Sequence, residues 1–472
     1  MVKKEWLTWA GAAVVAVGAM FPLYNYELDT NRTRTPIISP MQRAYPEAVA
    51  IMQAKCFACH VPDVEKPWYY PLPGAHQVMQ ADIDEALGKL NMEEAFGREP
   101  ASVPDSMLVK IEKVLKKGSM PPLKYVALHW STRLSDHDTA VLTQWLSDLK
   151  ARKAETMAVW YPGVDVNHMT WRNQPVWPVP TRVPTDPKKV ALGQRLYFDT
   201  RLSGDMTVSC ASCHGLNKGG GDRLATSTGI GGQKGPINAP TVFNAVFNHK
   251  QFWDGRAADL VEQAGGPVTN PLEMGATWPQ VLTRLKADSQ MVAEFKAVYN
   301  GAIEPAHIQD AIAEFEKTLV TPDAPFDRFL KGDASAMNDK AKAGWALFKS
   351  VGCINCHGGV AMGGNTFERM GLYHDYFADR AGGKVTDVDM GRYNVTKVES
   401  DRHKFKVPTL RNVATSYPYF HDGQVTTLDE AVRKMGHYQL DRELTDKEVA
   451  ELVAFLQSLT GHYMGTPVDQ LK

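Results

Sequence analysis

The chain has 472 residues, with 52 Lys and Arg against 53 Asp and Glu and a formal net charge of −1 at pH 7. At about 100–200 residues per domain this length predicts two to four domains. A hydrophobic content of 44% with 22% charged residues is that of ordinary globular protein and excludes wholesale disorder, and the even charge speaks against nucleic-acid binding.

At the N-terminus an uncharged stretch, Trp6 to Tyr24, follows Lys3 and Lys4. A bilayer span needs ~20 apolar residues, with ~17 at the lower edge. Bulky residues, Met20-Phe21-Pro22-Leu23-Tyr24, stand where a signal peptide would carry a small-residue cleavage site. An uncleaved transmembrane anchor over residues 1–28 is therefore expected. The two lysines keep its start inside, and Trp6, Trp9, Tyr24 and Tyr26 suit the two interfaces. The rest of the chain then lies in the periplasm, tethered to the cytoplasmic (inner) membrane by a single pass.

A polar, Pro-containing linker, Asp29 to Pro40, leads into a first unit over 29–155 that holds Cys56-Phe57-Ala58-Cys59-His60. The same Cys-x-x-Cys-His pattern returns at Cys210, Cys213, His214 and at Cys353, Cys356, His357, and no cysteine is left over. By chance it should arise about 0.002 times in a chain of this composition. A zinc site would pair two such motifs or add further histidines, and a redox dithiol or a disulfide needs no following His. The spacing suits two thioethers that hold a porphyrin edge while the next residue sets its imidazole under the iron. Three covalently attached haem c groups are expected, with His60, His214 and His357 as axial ligands. Covalent haem of this type agrees with export.

Further along, Ser135-x-x-Asp138 opens an apolar run, Val141, Leu142, Trp145 and Leu149, in the manner of a capping box before a helix. A Pro- and Trp-rich segment over 156–186 reads as a linker, which puts the first unit on a hinge. A second haem unit follows over 187–325 and a third over 326–472, with no comparable break between them, so these two pack as a pair. Ile308, Ile312, Phe315 and Leu319 mark one helix face; Thr427-x-x-Glu430 and Thr445-x-x-Glu448 open two more helices, the second carrying Val449, Leu452, Val453 and Leu456. Strand patterns are scarce. The fold class is all-α: an N-terminal anchor and three cytochrome c-like domains. Gly193-x-x-Leu196-Tyr197 and Gly344-x-x-Leu347-Phe348, each ahead of a haem motif, form a weak repeat.

Sixth ligands separate carriers from catalysts, since a haem with His and Met ligands passes electrons and one with an open position binds small molecules. Most of the 19 Met will simply be core. Met120, in Gly118-Ser119-Met120-Pro121-Pro122, is the expected ligand of the first haem, with His76 and His129 as competitors. Met435, ahead of Gly436, is expected on the third. Past the second motif the Gly219–Asp222 and Gly229–Gly232 stretches are Gly-rich, with neither Met nor His. They are either plain flexible loop or a segment that leaves the iron uncovered.

Asn238-Ala239-Pro240-Thr241, Gln251 to Ala257, Glu262-Gln263, Leu272-Glu273-Met274, Pro325 to Phe329 and Pro418-Tyr419-Phe420-His421, in order around two haem motifs, resemble the bacterial dihaem cytochrome c peroxidases over about residues 187–461. The extra N-terminal haem unit with an anchor resembles their trihaem, membrane-bound branch, the quinol peroxidases. The resemblance implies that the Cys210/Cys213/His214 haem is peroxidatic and the Cys353/Cys356/His357 haem with Met435 transfers electrons. It implies Trp253 between the two haems, Glu273 as acid/base, Gln263 as its hydrogen-bonding neighbour, and a calcium ion held by Asn238 with the carbonyls of Ser416 and Pro418. The implied substrate is hydrogen peroxide, the donor a membrane quinol or a cytochrome c, and a homodimer is one assembly open to the chain. One departure stands out. Many relatives carry a His where this chain has Ile230 and use it to block the peroxidatic iron until the other haem is reduced. Isoleucine cannot ligate iron, so no reductive activation is expected; His249 is the nearest histidine that could substitute. Two other classes stay open: a multihaem electron-transfer cytochrome without peroxidase activity, and a relative that oxidises another substrate through high-valent haem. The latter use a tyrosine at the Met435 position, and Tyr438 lies three residues on.

Overall fold

The computed structural model describes residues 22–28, 39–62, 66–165, 169–380 and 382–472. The expected span Trp6 to Tyr24 lies outside them up to residue 21, as does most of the linker from Asp29 to Pro40. Among the described residues no helix is long and apolar enough to cross a membrane. The chain divides into two compact units, Met1–Thr156 and Met157–Lys472, so the second and third haem segments share one body as expected.

In the first unit, helices Pro46–Lys55, Ala75–Lys89, Asp105–Lys117 and Asp136–Met157 surround the haem segment, which is itself the short helix Phe57–His60. Val49, Met52, Phe57, Leu108, Trp145 and Leu149 fill the core. The Ser135 cap forms: Asp138 accepts from the Ser135 amide at 2.8 Å and its own amide donates to Ser135 Oγ at 3.1 Å. Lys55 reaches the same carboxylate at 3.3 Å and donates to the Ser131 carbonyl at 2.9 Å. The residue before the first haem cysteine is thereby tied to the start of the last helix.

Two helix pairs build the second unit. Pro187–Tyr197 packs on Pro305–Glu316, and Asp339–Val351 packs on Asp446–Gln457. Gly193 and Gly344 sit at the two crossings. A Cβ on Gly193 would lie 1.8 Å from the Ala311 carbonyl oxygen, and one on Gly344 would lie 1.9 Å from that of Glu451. The sequence repeat thus has a steric cause, since each glycine lets one backbone reach another ahead of a haem segment. Phe326, Trp345, Phe348 and Phe455 interlock behind the third motif, with Phe326 and Phe455 edge-on at 5.1 Å. Among the described residues strand is confined to two short antiparallel pairs, Phe367–Arg369 with Lys404–Lys406 and His462–Tyr463 with Thr466–Pro467.

The segment 156–186 is not a free linker. Tyr161, Trp171, Val176, Trp177 and Val179 are buried, so it forms a strap on the second unit. The strap is held by polar bonds. Arg411 and Asp327, both fully buried, pair at 2.8 Å. Arg411 also donates to the carbonyls of Trp177 at 2.8 Å and Val360 at 2.9 Å, and Asp327 accepts from the Val179 amide at 3.1 Å. Proline and tryptophan supply little periodicity, which is why the strap reads as linker in sequence.

Gly193→Ala and Gly344→Ala are each expected to destabilise the holoprotein by about 1–3 kcal/mol or more, because the added methyl meets backbone that cannot retreat. Denaturant unfolding measures this, with Gly301→Ala, which meets nothing closer than 3.5 Å, as the control.

Candidate active site

The three motif histidines are half-buried, their rings set among backbone carbonyls. His60 Nδ1 bonds the Leu90 carbonyl at 2.8 Å and His357 Nδ1 bonds that of Met362 at 3.0 Å. Such a bond fixes Nδ1 as the protonated nitrogen and leaves Nε2 for a metal. His214 Nδ1 is buried without a hydrogen bond, with the carbonyls of Gly220 and Pro240 beside the ring. Burial lowers the pKa of all three against the pull of these carbonyls, that of His357 to about 4, so each imidazole is neutral, the form that binds metal. None of the six cysteines is in a disulfide, and each is half-buried.

Glu273 and Gln263 come from one helix and its return loop. Leu260–Thr269 is capped by Asp259, whose carboxylate accepts from the Glu262 amide at 3.0 Å, and Gln263 lies half-buried in its first turns. The chain then turns back, with the Ala276 amide bonding the Val268 carbonyl at 2.8 Å. This return sets Glu273 in a half-buried position where Asn270 Nδ2 donates to its Oε1 at 2.8 Å. Burial raises the Glu273 pKa above the usual carboxylate value, opposed by the Arg256 charge and the Asn270 bond. The Glu273 charge in turn helps raise the Cys213 pKa, after burial and Asp222, so the carboxyl is within electrostatic reach of the second haem motif. Arg256 stacks 3.5 Å over the Phe252 ring and is paired with Asp254 at 3.1 Å.

The Gly-rich loop is docked rather than loose. The Gly229 amide donates to the Gln233 carbonyl at 2.8 Å, closing a small turn, and the Ile230 amide donates to the Glu273 carbonyl at 2.9 Å. A Cβ on Gly229 would lie 2.1 Å from the Leu272 carbonyl oxygen, and one on Gly275 would lie 2.3 Å from Ile230 Cδ1. The two loops therefore pack against each other with Ile230 beside the Glu273 loop. His249 has an exposed ring, and its amide bonds the Gly364 carbonyl at 2.7 Å, in the loop that follows the third motif.

Trp253 and Met435 pack against one aromatic cluster of Met370, Tyr376, Phe377, Phe405 and Tyr438. Trp253 Nε1 donates to the Asn238 carbonyl at 2.9 Å, and the Asn238 amide donates to the His421 carbonyl at 2.8 Å. His421 stacks on Phe405 at 4.3 Å and bonds Asp389 at 2.8 Å. The side chain expected between the haems thus bridges the segment after the second motif to the one before Met435. Tyr438 is buried in the same cluster with Asp379 at its hydroxyl.

In the first unit Met120 is 38% exposed, ahead of the helix Leu123–Val126, whose Lys124 charge reaches Cys59. Its competitors are engaged elsewhere: His129 stacks on Tyr125 at 4.4 Å and bonds the Tyr69 hydroxyl, and His76 is exposed against Tyr70. Asn270 and Arg256 are the two residues of the Glu273 surroundings given no role from sequence. Asn270 was findable, because an Asn three residues before a candidate acid on a loop can reach its carboxylate; Arg256 was not, because its effect depends on how the 251–257 turn folds.

Matches to family models cover residues 15–148 (haem-binding domain), 187–335 (di-haem cytochrome c peroxidase) and 341–460 (cytochrome c). The chain is 48% identical over 422 residues to cytochrome c peroxidase Ccp of Escherichia coli K12, covering 88% of this chain and 87% of that one. The chain belongs to the di-haem cytochrome c peroxidase family. Another relative is the cytochrome c551 peroxidase of Nitrosomonas europaea, 46% identical over 61% of this chain and 85% of its own. The methylamine utilization protein MauG of Methylorubrum extorquens is 37% identical over 62% and 84%. Among solved structures, a MauG-like protein associated with microbial copper homeostasis aligns with TM-score 0.52 and 29% identity over 60% of this chain and 92% of its own. As in other c-type haem peroxidases of this family, the motif cysteines carry covalent haem c, and the absence of disulfides among them and the carbonyl-anchored imidazoles of His60 and His357 fit it.

The Asn270 bond lowers the Glu273 pKa, so removing it raises that pKa further. A base works as its carboxylate, so peroxidase activity that depends on Glu273 rises as pH passes its pKa. Asn270→Ala is therefore expected to move the rising limb of the kcat/KM pH profile to higher pH, and an unmoved limb counts against Glu273 as the group reported.

Proposed function

We propose that this c-type haem peroxidase reduces hydrogen peroxide to two waters, with two electrons and two protons, at the haem of Cys210, Cys213 and His214. Electrons enter from membrane quinol through the haem of Cys56, Cys59, His60 and Met120 and pass by the haem of Cys353, Cys356, His357 and Met435. The observation that carries this is the Glu273 loop: a half-buried carboxyl with a raised pKa, hydrogen-bonded by Asn270, acting on Cys213, and packed against an Ile230 that cannot ligate iron.

When bound, haem c supplies the redox chemistry that cleaves the peroxide O–O bond. The protein moves the proton. Glu273, as carboxylate, takes a proton from one peroxide oxygen and returns it to the other, which leaves as water. Asn270 holds the carboxyl oriented, Arg256 biases it toward the ionised form, and Gln263 donates to the polarised peroxide. Trp253 lies on the route between the two haems of the second unit, in van der Waals and hydrogen-bonded continuity with Asn238 and Phe405.

Calcium is proposed at Asn238 with the carbonyls of Ser416 and Pro418. Asn238 Nδ2 is used on the Leu224 carbonyl at 2.8 Å, which leaves Oδ1 for a cation, and an all-oxygen set suits a hard ion. The membrane anchor is likewise proposed, single-pass in the inner membrane with the haem units in the periplasm. What supports it is the segment 22–28, a helix that exposes Leu23, Tyr24, Tyr26 and Leu28 and rests on the first unit through Asn25, bonded to the Leu128 carbonyl at 3.0 Å and to Trp68 Nε1 at 3.2 Å. An interfacial belt has this composition. Quinol as donor rests on this placement and on the family likeness.

Steady-state peroxide consumption by the full chain in lipid nanodiscs tests the proposal. Glu273→Gln is expected to lose at least about 10²-fold in kcat with its haem complement intact, and a reduced quinol is expected to outpace a soluble cytochrome c as donor. Near-normal turnover in the variant removes Glu273 from the role; a faster soluble donor removes quinol.

A further inference from the structure

The strand Lys404–Lys406 carries two buried lysines, Lys404 at 4% and Lys406 at 5% exposure. Alternate strand residues share a face, so both point one way and Phe405, stacked on His421, points the other. Lys404 has a partner in Asp401 at 3.2 Å. Among the described residues no carboxylate, carbonyl or hydroxyl meets the Lys406 Nζ, and burial alone pushes its pKa down to about 8. An ammonium held out of water without a counter-charge costs several kcal/mol, so such a group is expected to have an anionic partner.

The surroundings narrow what that partner is. The Lys406 amide donates to the Trp253 carbonyl at 2.7 Å. The next residue, Val407, accepts from Gly364 at 2.7 Å and donates to Thr366 at 2.9 Å, and Thr409 Oγ1 donates to Ala361 at 2.7 Å. The strand is thereby zipped along the 361–366 segment, which holds the Met362 carbonyl that anchors His357. Opposite Lys406 is Phe367, whose ring lies against Gly255 and under the Arg392 guanidinium at 4.7 Å. Arg392 donates to the carbonyls of Asp254 and Gly255, at 3.1 and 2.9 Å, and among the described residues neither it nor Lys406 is paired with a carboxylate; Asp401 is taken by Lys404.

We propose that Lys406 is the counter-charge for a propionate carboxylate of the haem carried by Cys353, Cys356 and His357. The proposal rests on covalent haem at that motif and stands apart from the peroxidase assignment. A positive charge fixed beside a haem favours the reduced form, so Lys406 helps this haem hold an electron.

The test is a redox titration of the full-length holoprotein, followed in the absorption bands of each haem. Lys406→Met removes the charge and keeps much of the side-chain bulk, and Lys406→Gln keeps a polar end. Either is expected to lower the potential of the third-motif haem by about 59 mV or more, a tenfold change in a one-electron equilibrium, while Lys406→Arg leaves it near the wild-type value. Unchanged potentials in a neutral variant with all three haems attached overturn the proposal, as does a fall confined to the second-motif haem. If neither neutral variant retains the haem, Lys406→Arg decides: haem retained at the wild-type potential supports the role of the charge, and haem lost in this variant as well overturns it.

Discussion

The hydrogen bond from the Ile230 amide to the Glu273 carbonyl, at 2.9 Å, is the contact on which the catalytic account depends. It joins two loops of different origin, the glycine-rich turn after the second haem motif and the return from helix Leu260–Thr269. At Gly229 the Leu272 carbonyl leaves no room for a Cβ, and at Gly275, in a left-handed conformation, the end of the Ile230 side chain fills that space. What stands beside the acid is therefore set by the main chain rather than by rotamer choice. The side chain carried there is apolar and has no lone pair to offer a metal. The same packing shields Glu273 enough to raise its pKa, and Asn270 and Arg256 limit the rise. The proposed proton-transfer group, with its raised pKa, and a neighbour unable to bind iron are two outcomes of one docking.

The second half of the account is continuity between the two haem segments of the second unit. Two helix crossings, each opened by a glycine, close the backbone behind each motif in turn. The strap 169–179 closes over the third motif through the buried Arg411–Asp327 pair. Burying that pair is costly, and the cost is offset in part by the two carbonyls that Arg411 donates to and the amides that Asp327 accepts from. Between the segments, Trp253 is held by its carbonyl to Lys406 and by its indole nitrogen to Asn238. Its position is fixed from both ends, which an electron route through a side chain requires.

Much of this was legible in the sequence because covalent haem attachment is written in contiguous residues. Cys-x-x-Cys-His states the cofactor, and caps such as Ser135 and Thr445 state helix starts. These depend on neighbours in the chain and need no tertiary information. The Gly193 and Gly344 repeat was visible, but its cause, a carbonyl on another helix, was not. The strap was misjudged as linker because burial by Trp171, Val176 and Trp177 follows no helical or strand period. The glycine-rich turn left two possibilities open from sequence, and only its bond to Glu273 shows it docked. Lys406 in a short strand looks like any surface lysine until its burial is seen.

The central claim is that no side chain of this protein occupies the upper side of the Cys210/Cys213/His214 haem in the resting, fully oxidised state. Low-temperature electron paramagnetic resonance of the oxidised full-length holoprotein, before any reduction, tests it most directly. The account predicts a high-spin ferric signal from one haem and low-spin signals from the other two. Three low-spin haems, unchanged when the third-motif haem is reduced and the sample re-examined, would contradict it and leave an electron carrier.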